Sequence, residues 1–173
     1  SKRKTIVACS TPPGRGAIST VRLSGKRAVN IIQKITRRKL KKKSCVLEFP
    51  LHNGLKEKCV LTIFRSPNSY TGENVVEIST HGNPLIVEKV IQQCVNAGAF
   101  IAEPGEFTLR AYLNNKLSID QSEAVIEVIN ANSLASLKAA QNSLNGGLRM
   151  RISKVQQKLR EARVLVELSL IHI

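Results

Sequence analysis

Residues 5–25 read TIVACSTPPGRGAISTVRLSG. In this stretch, two runs rich in Ile, Val and Thr flank a turn that contains two prolines and two glycines. Each run is typical of a β-strand, and the prolines and glycines give the turn a defined shape because they restrict or extend the range of φ. Two interpretations of the turn stay open. It is either a rigid loop that offers backbone N–H groups and Arg15 to a planar or anionic ligand, or a tight turn with a solvated arginine.

The rest of the chain changes character near residue 117. Before it, further strands are predicted at 45–49, 59–64, 74–80 and 100–102, and helices at 26–35, 84–97 and 104–112. After it, strand signals stop and three helices are predicted from residue 118, at 133–144 and at 148–168. We therefore predict an α+β domain over residues 1–117, with a mixed β-sheet packed against helices. An all-α segment over residues 118–173 follows it.

The net charge of +15 is concentrated in two parts of the chain. Residues 1–47 contain fourteen Lys and Arg and no acid, and six of these lie in 37–43. Residues 149–163 contain six basic residues and one acid. Such clusters attract phosphate backbones, but lysine runs are also common on solvated loops. Neither cluster contains an aromatic residue for base stacking, so nonspecific RNA contact and a solvated surface both stay open.

Several classes of protein do not fit this sequence. No apolar run approaches the ~20 residues needed to span a bilayer, and the N-terminus does not resemble a signal peptide. The four cysteines are dispersed, which argues against a zinc site or a disulfide framework and fits a reducing cytoplasm. P-loop, G-x-S-x-G and H-E-x-x-H motifs are absent. We expect a cytoplasmic protein without a membrane segment or metal, which is not catalytic by itself.

Two segments contain acidic residues whose function has to be interpreted, one around Glu77 and one around Glu106. Glu77 lies in a predicted strand, on the face opposite Val76 and Ile78. A carboxylate offers two adjacent acceptors, which fit paired N–H donors such as those of guanidinium, guanine or a pterin, unless it is simply solvated. His81 follows in the same strand, and without a nucleophile or metal nearby in sequence we interpret it as a structural or ligand-edge histidine. Glu106 and Arg110 are four residues apart, and we interpret them as a surface ion pair.

Six motifs in one order resemble the MnmE (TrmE) family of tRNA-modification GTPases, and the match extends from about residue 5 to about residue 166. The motifs are TIVA at 5–8 with TPPGRG at 11–16, RLSG at 22–25, PNSYTGE at 67–73, Glu77 with His81-Gly82, PGEFT at 104–108, and RAYLN at 110–114 with Lys116-Leu117.

The resemblance implies a fold related to the tetrahydrofolate-binding domain of aminomethyltransferases. It implies that this domain dimerises and binds 5-formyltetrahydrofolate, with Arg22, Glu77 and Lys116 as contacts. It also implies a helical domain into which a Ras-like G domain is inserted, which uses GTP, Mg²⁺ and K⁺. The whole protein is expected to act with the partner MnmG (GidA) in carboxymethylaminomethyluridine synthesis at the wobble uridine of tRNA.

The sequence also departs from the family. It lacks the G domain, the second half of the helical domain and the C-terminal cysteine motif with its lysine at the folate site, and residues 168–173 differ from the acidic stretch expected there. We therefore expect a fragment that does not hydrolyse GTP. One alternative is a basic RNA-binding module without a small-molecule site. A folate-dependent aminomethyltransferase is a weaker alternative, because the chain is short and ends in helices.

Overall fold

The computed structural model describes residues 4–40 and 42–171. One lysine of the basic run at 37–43 and the last two residues of 168–173 therefore lie outside the described residues. The chain divides into two compact units, Ser1–Lys116 and Leu117–Ile173.

The first unit is built around a six-stranded mixed sheet in the described residues. The strands are β1 (Ile6–Cys9), β2 (Gly16–Ser24), β3 (Ser44–Pro50), β4 (Lys56–Phe64), β5 (Val75–Gly82) and β6 (Phe100–Ile101). Their spatial order is β3-β4-β5-β2-β1-β6. The pair β1–β6 is parallel and the other neighbours are antiparallel. The predicted mixed sheet is thus confirmed, and the Pro/Gly turn joins β1 to β2.

Three helices belong to this unit: α1 (Ala28–Thr36), α2 (Pro84–Asn96) and α3 (Glu106–Leu113). Apolar side chains of α1 and α2 pack with one face of the sheet into a single hydrophobic core. Strand alternation directs Leu23 and Val76 into this core, and both are fully buried. The residues that alternate with the core residues along each strand belong to the opposite face. They include Arg22 on β2 and Glu77 on β5. We call that second surface the open face of the sheet.

Two of the four cysteines lie within this core. Burial raises the pKa of both Cys59 and Cys94 to about 12, with the carboxylate of Glu57 adding to the shift of Cys59. Their thiols therefore stay protonated and behave as small apolar groups.

Strand β4 begins three residues earlier than the sequence predicted, at Lys56 instead of Cys59. Glu57 interrupts the alternation of polar and apolar residues in this segment, because it is a charged residue at a buried position. It is only 6% exposed. Its carboxylate accepts a hydrogen bond from the His81 backbone N–H and also lies within hydrogen-bond distance of His81 Nδ1.

The second unit consists, in its described part, of α4 (Ile119–Asn130), α5 (Leu134–Leu144) and α6 (Gly147–Ile171). The predicted all-α segment is therefore confirmed. Much of its apolar surface is uncovered, with Ile129 75% and Leu134 87% exposed. No helix among the described residues has both the length and the apolar character that crossing a membrane requires.

Candidate functional site

The open face carries an ion pair at its centre. Arg22 on β2 and Glu77 on β5 are register partners, so their side chains stand side by side. Arg22 Nε lies 2.9 Å from Glu77 Oε1, and Nη2 lies 2.8 Å from the same oxygen. The two side chains are 27% and 25% exposed. The structure thus brings together two residues that are 55 positions apart in the chain.

This ion pair leaves half of each group available. Both nitrogens of Arg22 donate to Oε1, whereas Oε2 of Glu77 and Nη1 of Arg22 form no hydrogen bond with a described residue. A partly shielded carboxylate oxygen next to a guanidinium N–H can bind a ligand that has both donors and acceptors on one edge.

Two aromatic rings flank Arg22. The ring centroid of Tyr70 lies 5.7 Å from Arg22 Cζ, and that of Phe107 lies 5.8 Å from it. Both distances are within the range of cation–π attraction. The Tyr70 hydroxyl is 2.9 Å from Thr108 Oγ1, which joins the loop at 65–74 to α3. Neither ring was predicted as a site residue, although the chain has only six Phe and Tyr and the two rings lie in the motifs at 67–73 and 104–108.

A buried polar network holds this loop in place. Arg110 Nη1 donates to Glu73 Oε2 at 3.0 Å, and Arg110 Nε and Nη2 donate to Glu106 Oε1 at 3.1 and 2.7 Å. Ser24 Oγ donates to Glu73 Oε2 at 2.8 Å and lies 2.7 Å from Thr71 Oγ1. The network connects the end of β2, the loop and α3, so it supports the position of both rings.

The predicted ion pair of Glu106 and Arg110 forms, but its placement on the surface was wrong. The Arg110 side chain is only 6% exposed, because it lies between two carboxylates and not on the solvent side of α3. Desolvation acts to raise the pKa of Glu106, but the Glu103 backbone N–H and the Arg110 guanidinium outweigh it and hold that pKa below its ordinary value.

Lys116 lies against the same loop. A Cβ atom placed on Gly72 would lie 3.2 Å from Lys116 Cγ, so the aliphatic part of the lysine packs on this glycine. Its backbone N–H donates to Ala111 O at 2.8 Å. The lysine side chain is exposed, and its ammonium forms no ion pair with Glu77. Two parts of the candidate site therefore contact the loop at 65–74. Arg22, which is paired with Glu77, lies near Tyr70, and Lys116 packs on Gly72.

His81 is bound to Glu57 on the neighbouring strand. Glu57 Oε1 lies 2.7 Å from His81 Nδ1 and accepts from the His81 backbone N–H at 2.9 Å. The imidazole is 73% exposed, while Glu57 is buried. This arrangement agrees with a structural or ligand-edge histidine.

The Pro/Gly turn lies beside α2. Ser10 N donates to Thr20 O at 2.7 Å, which closes the turn between β1 and β2. A cavity of about 480 Å³ separates the turn from the first half of α2, with Pro12, Pro13 and Val87 among the residues that line it. Arg15 is exposed and forms no ion pair with a described residue, so the structure leaves both interpretations of the turn open.

Most of the first unit is similar to a known protein family. A family model described as GTP-binding protein TrmE N-terminus matches residues 5–116. The chain belongs to this family. The TrmE match contains Arg22, Glu77 and Lys116, together with the loop at 65–74.

Individual relatives extend the TrmE likeness into the second unit. A Francisella philomiragia protein named tRNA modification GTPase MnmE is 43% identical over 169 residues, which is 97% of this chain and 38% of the relative. Proteins with the same name from Francisella tularensis subspecies holarctica and novicida are 43% and 42% identical over the same shares. This chain therefore spans 38% of the length of the curated relatives it matches.

Proposed function

We propose that residues 1–117 form a module that binds 5-formyltetrahydrofolate through Arg22, Glu77 and Lys116. The observation that carries the proposal is the half-free ion pair on the open face, with Glu77 Oε2 and Arg22 Nη1 both without a described partner. The pterin edge of a folate presents adjacent N–H donors, which suit the free oxygen of Glu77. The glutamate tail of a folate presents carboxylates, which suit the cations of Arg22 and Lys116.

The surroundings of the ion pair favour a flat ligand. Tyr70 and Phe107 offer ring faces beside Arg22, and stacking on aromatic rings is worth about 0.5–1.5 kcal/mol beyond buried area. The partial shielding of Arg22 and Glu77 strengthens charged hydrogen bonds relative to those in water. A bound folate would supply a one-carbon unit, and these residues would bind and orient it.

We also propose that the module associates with a second copy of itself. Val46 and Val60 are register partners on the open face and are 59% and 41% exposed. In the proposed dimer, the second copy covers this exposed pair and removes its apolar surface from water. Sedimentation velocity measures this directly, and a dimer that Val60→Glu converts to a monomer is the expected result.

For the whole protein we propose the activity that the names of its relatives carry, tRNA modification by a GTPase. In this proposal the protein works in the cytoplasm with MnmG on the wobble uridine of tRNA. These 173 residues contain no P-loop motif, so GTP, Mg²⁺ and K⁺ are proposed to bind outside them.

Calorimetric titration of the chain with 5-formyltetrahydrofolate tests the folate site. We expect saturable binding that Glu77→Gln weakens roughly ten- to a hundredfold, the loss expected for a charged hydrogen bond. Glu48→Gln is the matched control, because Glu48 is also paired across strands, with Lys56 at 3.1 Å. It should bind like the unmodified chain.

The same titration separates the proposal from its main alternative. Equal affinities of Glu77→Gln and the unmodified chain would refute the site. Absence of folate binding, together with salt-sensitive binding of tRNA, would favour a basic RNA-binding module without a small-molecule site.

A further inference from the structure

A second cleft lies at the edge of the sheet, away from Arg22 and Glu77. It has a volume of about 480 Å³ and lies between the end of α1, the hairpin β3–β4 and α2. Its charged lining residues are Arg37, Arg38, Lys56 and Glu48. We call it the edge cleft, because β3 is the outermost strand on that side.

The basic run beside this cleft is anchored to the fold at several points. Arg37 ends α1 in the left-handed conformation, with φ of 53°. Leu40 is only 6% exposed and belongs to the hydrophobic core. Lys43 O accepts a hydrogen bond from Ile63 N at 2.7 Å, which ties the end of the run to β4. The described part of the run therefore follows a defined path, unlike a freely solvated loop.

The charges in the edge cleft are not balanced. Lys56 Nζ pairs with Glu48 Oε2 at 3.1 Å, whereas Arg37 and Arg38 form no ion pair with a described residue. Both arginines are exposed. Guanidinium groups present several N–H donors in a planar fork that matches two oxygens of a phosphate. The cleft thus offers two unpaired forks on a fixed backbone.

We propose that the edge cleft binds the phosphate backbone of tRNA, an inference that rests on the proposed function, in which tRNA is the substrate of the whole protein. None of the side chains that line it is aromatic, so the contact involves phosphates and not stacked bases. Arg37 and Arg38 are the principal contacts, and Glu48 limits the affinity by repelling phosphate and occupying Lys56.

The edge cleft is separate from the folate site. Glu77 is the register partner of Thr62 on β4, and the cleft residue Lys56 lies six residues before Thr62, which at about 3.3 Å per residue places the two roughly 20 Å apart along the sheet. Loss of one site should therefore leave the other intact.

The test measures the dissociation constant of the chain for tRNA at several salt concentrations. Arg37→Gln/Arg38→Gln should weaken binding roughly tenfold at 0.1 M salt, and should reduce the slope of log K against log salt by about 2, since each phosphate contact contributes about 0.9. Arg15→Gln/Arg65→Gln removes the same charge from two exposed arginines outside the cleft and should change affinity and slope much less. Glu48→Gln should tighten binding.

Three results would overturn the inference. These are equal losses in both double variants, no binding of tRNA by the unmodified chain at low salt, or displacement of tRNA by polyglutamate at equal charge concentration, which would indicate an acidic protein partner.

Each variant is also titrated with 5-formyltetrahydrofolate. Normal folate binding shows that the variant is folded, and loss of tRNA binding with folate binding intact refers to the cleft alone. If the unmodified chain does not bind folate, that result contradicts the proposed function and not the edge cleft. If Arg37→Gln/Arg38→Gln does not fold, the response to Glu48→Gln decides, and unchanged affinity would refute the inference.

Discussion

Arg110 on α3 donates to Glu73, which lies 37 residues earlier in the chain, through a 3.0 Å bond from Nη1 to Oε2. The same guanidinium also binds Glu106, and the three side chains are 6%, 12% and 22% exposed. One arginine therefore compensates two largely buried carboxylates. Because Glu73 closes the loop that carries Tyr70, this ion pair also determines the position of the candidate folate site.

Replacing Arg110 by methionine should strongly destabilise the first unit. The change leaves Glu73 and Glu106 without a cation, and breaking a buried ion pair in this way costs about 3–5 kcal/mol. Urea unfolding followed by tyrosine fluorescence measures it, because both tyrosines lie in this unit and the chain has no tryptophan. Lys56→Met, which breaks the exposed pair with Glu48, should cost less than about 1 kcal/mol. Similar losses in the two variants would contradict the buried network.

The stability of this unit should fall in acid through Glu106. The pKa of Glu106 is held below its ordinary value of 4.5, so its ionised form stabilises the folded state above about pH 4.5. That contribution is lost as the pH falls through the lowered pKa. The difference in free energy of unfolding between the unmodified chain and Glu106→Gln should be largest at neutral pH and shrink in acid. Urea titrations on both sides of pH 4.5 measure it, and a constant difference would refute the assignment.

Two paired glycines should respond differently to alanine. Gly16 on β2 and Gly82 on β5 are register partners next to an irregularity in the ladder. A Cβ on Gly82 would collide with the Gly16 carbonyl, lying 2.7 Å from its carbon, whereas a Cβ on Gly16 would be 3.9 Å from its nearest neighbour, Ile18 O. Gly82→Ala should therefore destabilise the unit by about 1–3 kcal/mol, and Gly16→Ala should have little effect. Thermal unfolding followed by circular dichroism compares them, and equal effects would argue against this close approach.

Phe107 should contribute to folate affinity, whereas Phe100 should not. Each ring lies beside a cation, Phe107 beside Arg22 and Phe100 beside Lys4, but only Phe107 is next to the Arg22–Glu77 pair. Loss of aromatic stacking in Phe107→Leu should weaken binding of 5-formyltetrahydrofolate roughly three- to tenfold. Phe100→Leu is the control in the same calorimetric titration. An unchanged affinity in Phe107→Leu would remove the ring from the site.

Elements defined by neighbouring residues were well predicted from the sequence. Asn83 and Pro84 indicated the start of α2, and Asn83 Oδ1 accepts from Leu85 N at 2.9 Å. The capping pair Ser118 and Gln121 indicated the start of α4, and Ser118 N donates to Gln121 Oε1 at 2.9 Å. These signals are reliable because both partners lie within one helical turn.

Predictions failed where a polar side chain is satisfied from far along the chain. Glu57 interrupts the apolar pattern of β4, and its partner His81 comes 24 residues later. Arg110 looked like half of a surface pair, because Glu106 was visible at helical spacing and Glu73 was not. A local pattern carries no information about which side chain folding brings to a buried charge.

The sequence by itself determined the alternation of strands and helices, the change to helices near residue 117 and the family, since these depend on patterns and motifs along the chain. It also singled out Arg22 and Glu77, although as separate residues. Only the tertiary structure decided that two nitrogens of Arg22 bind one carboxylate oxygen of Glu77, and that Tyr70 and Phe107 lie beside Arg22. It also decided that Arg37 and Arg38 line a cleft at the sheet edge. The physical reason is that strand order and register set these contacts, and both result from packing of the whole core.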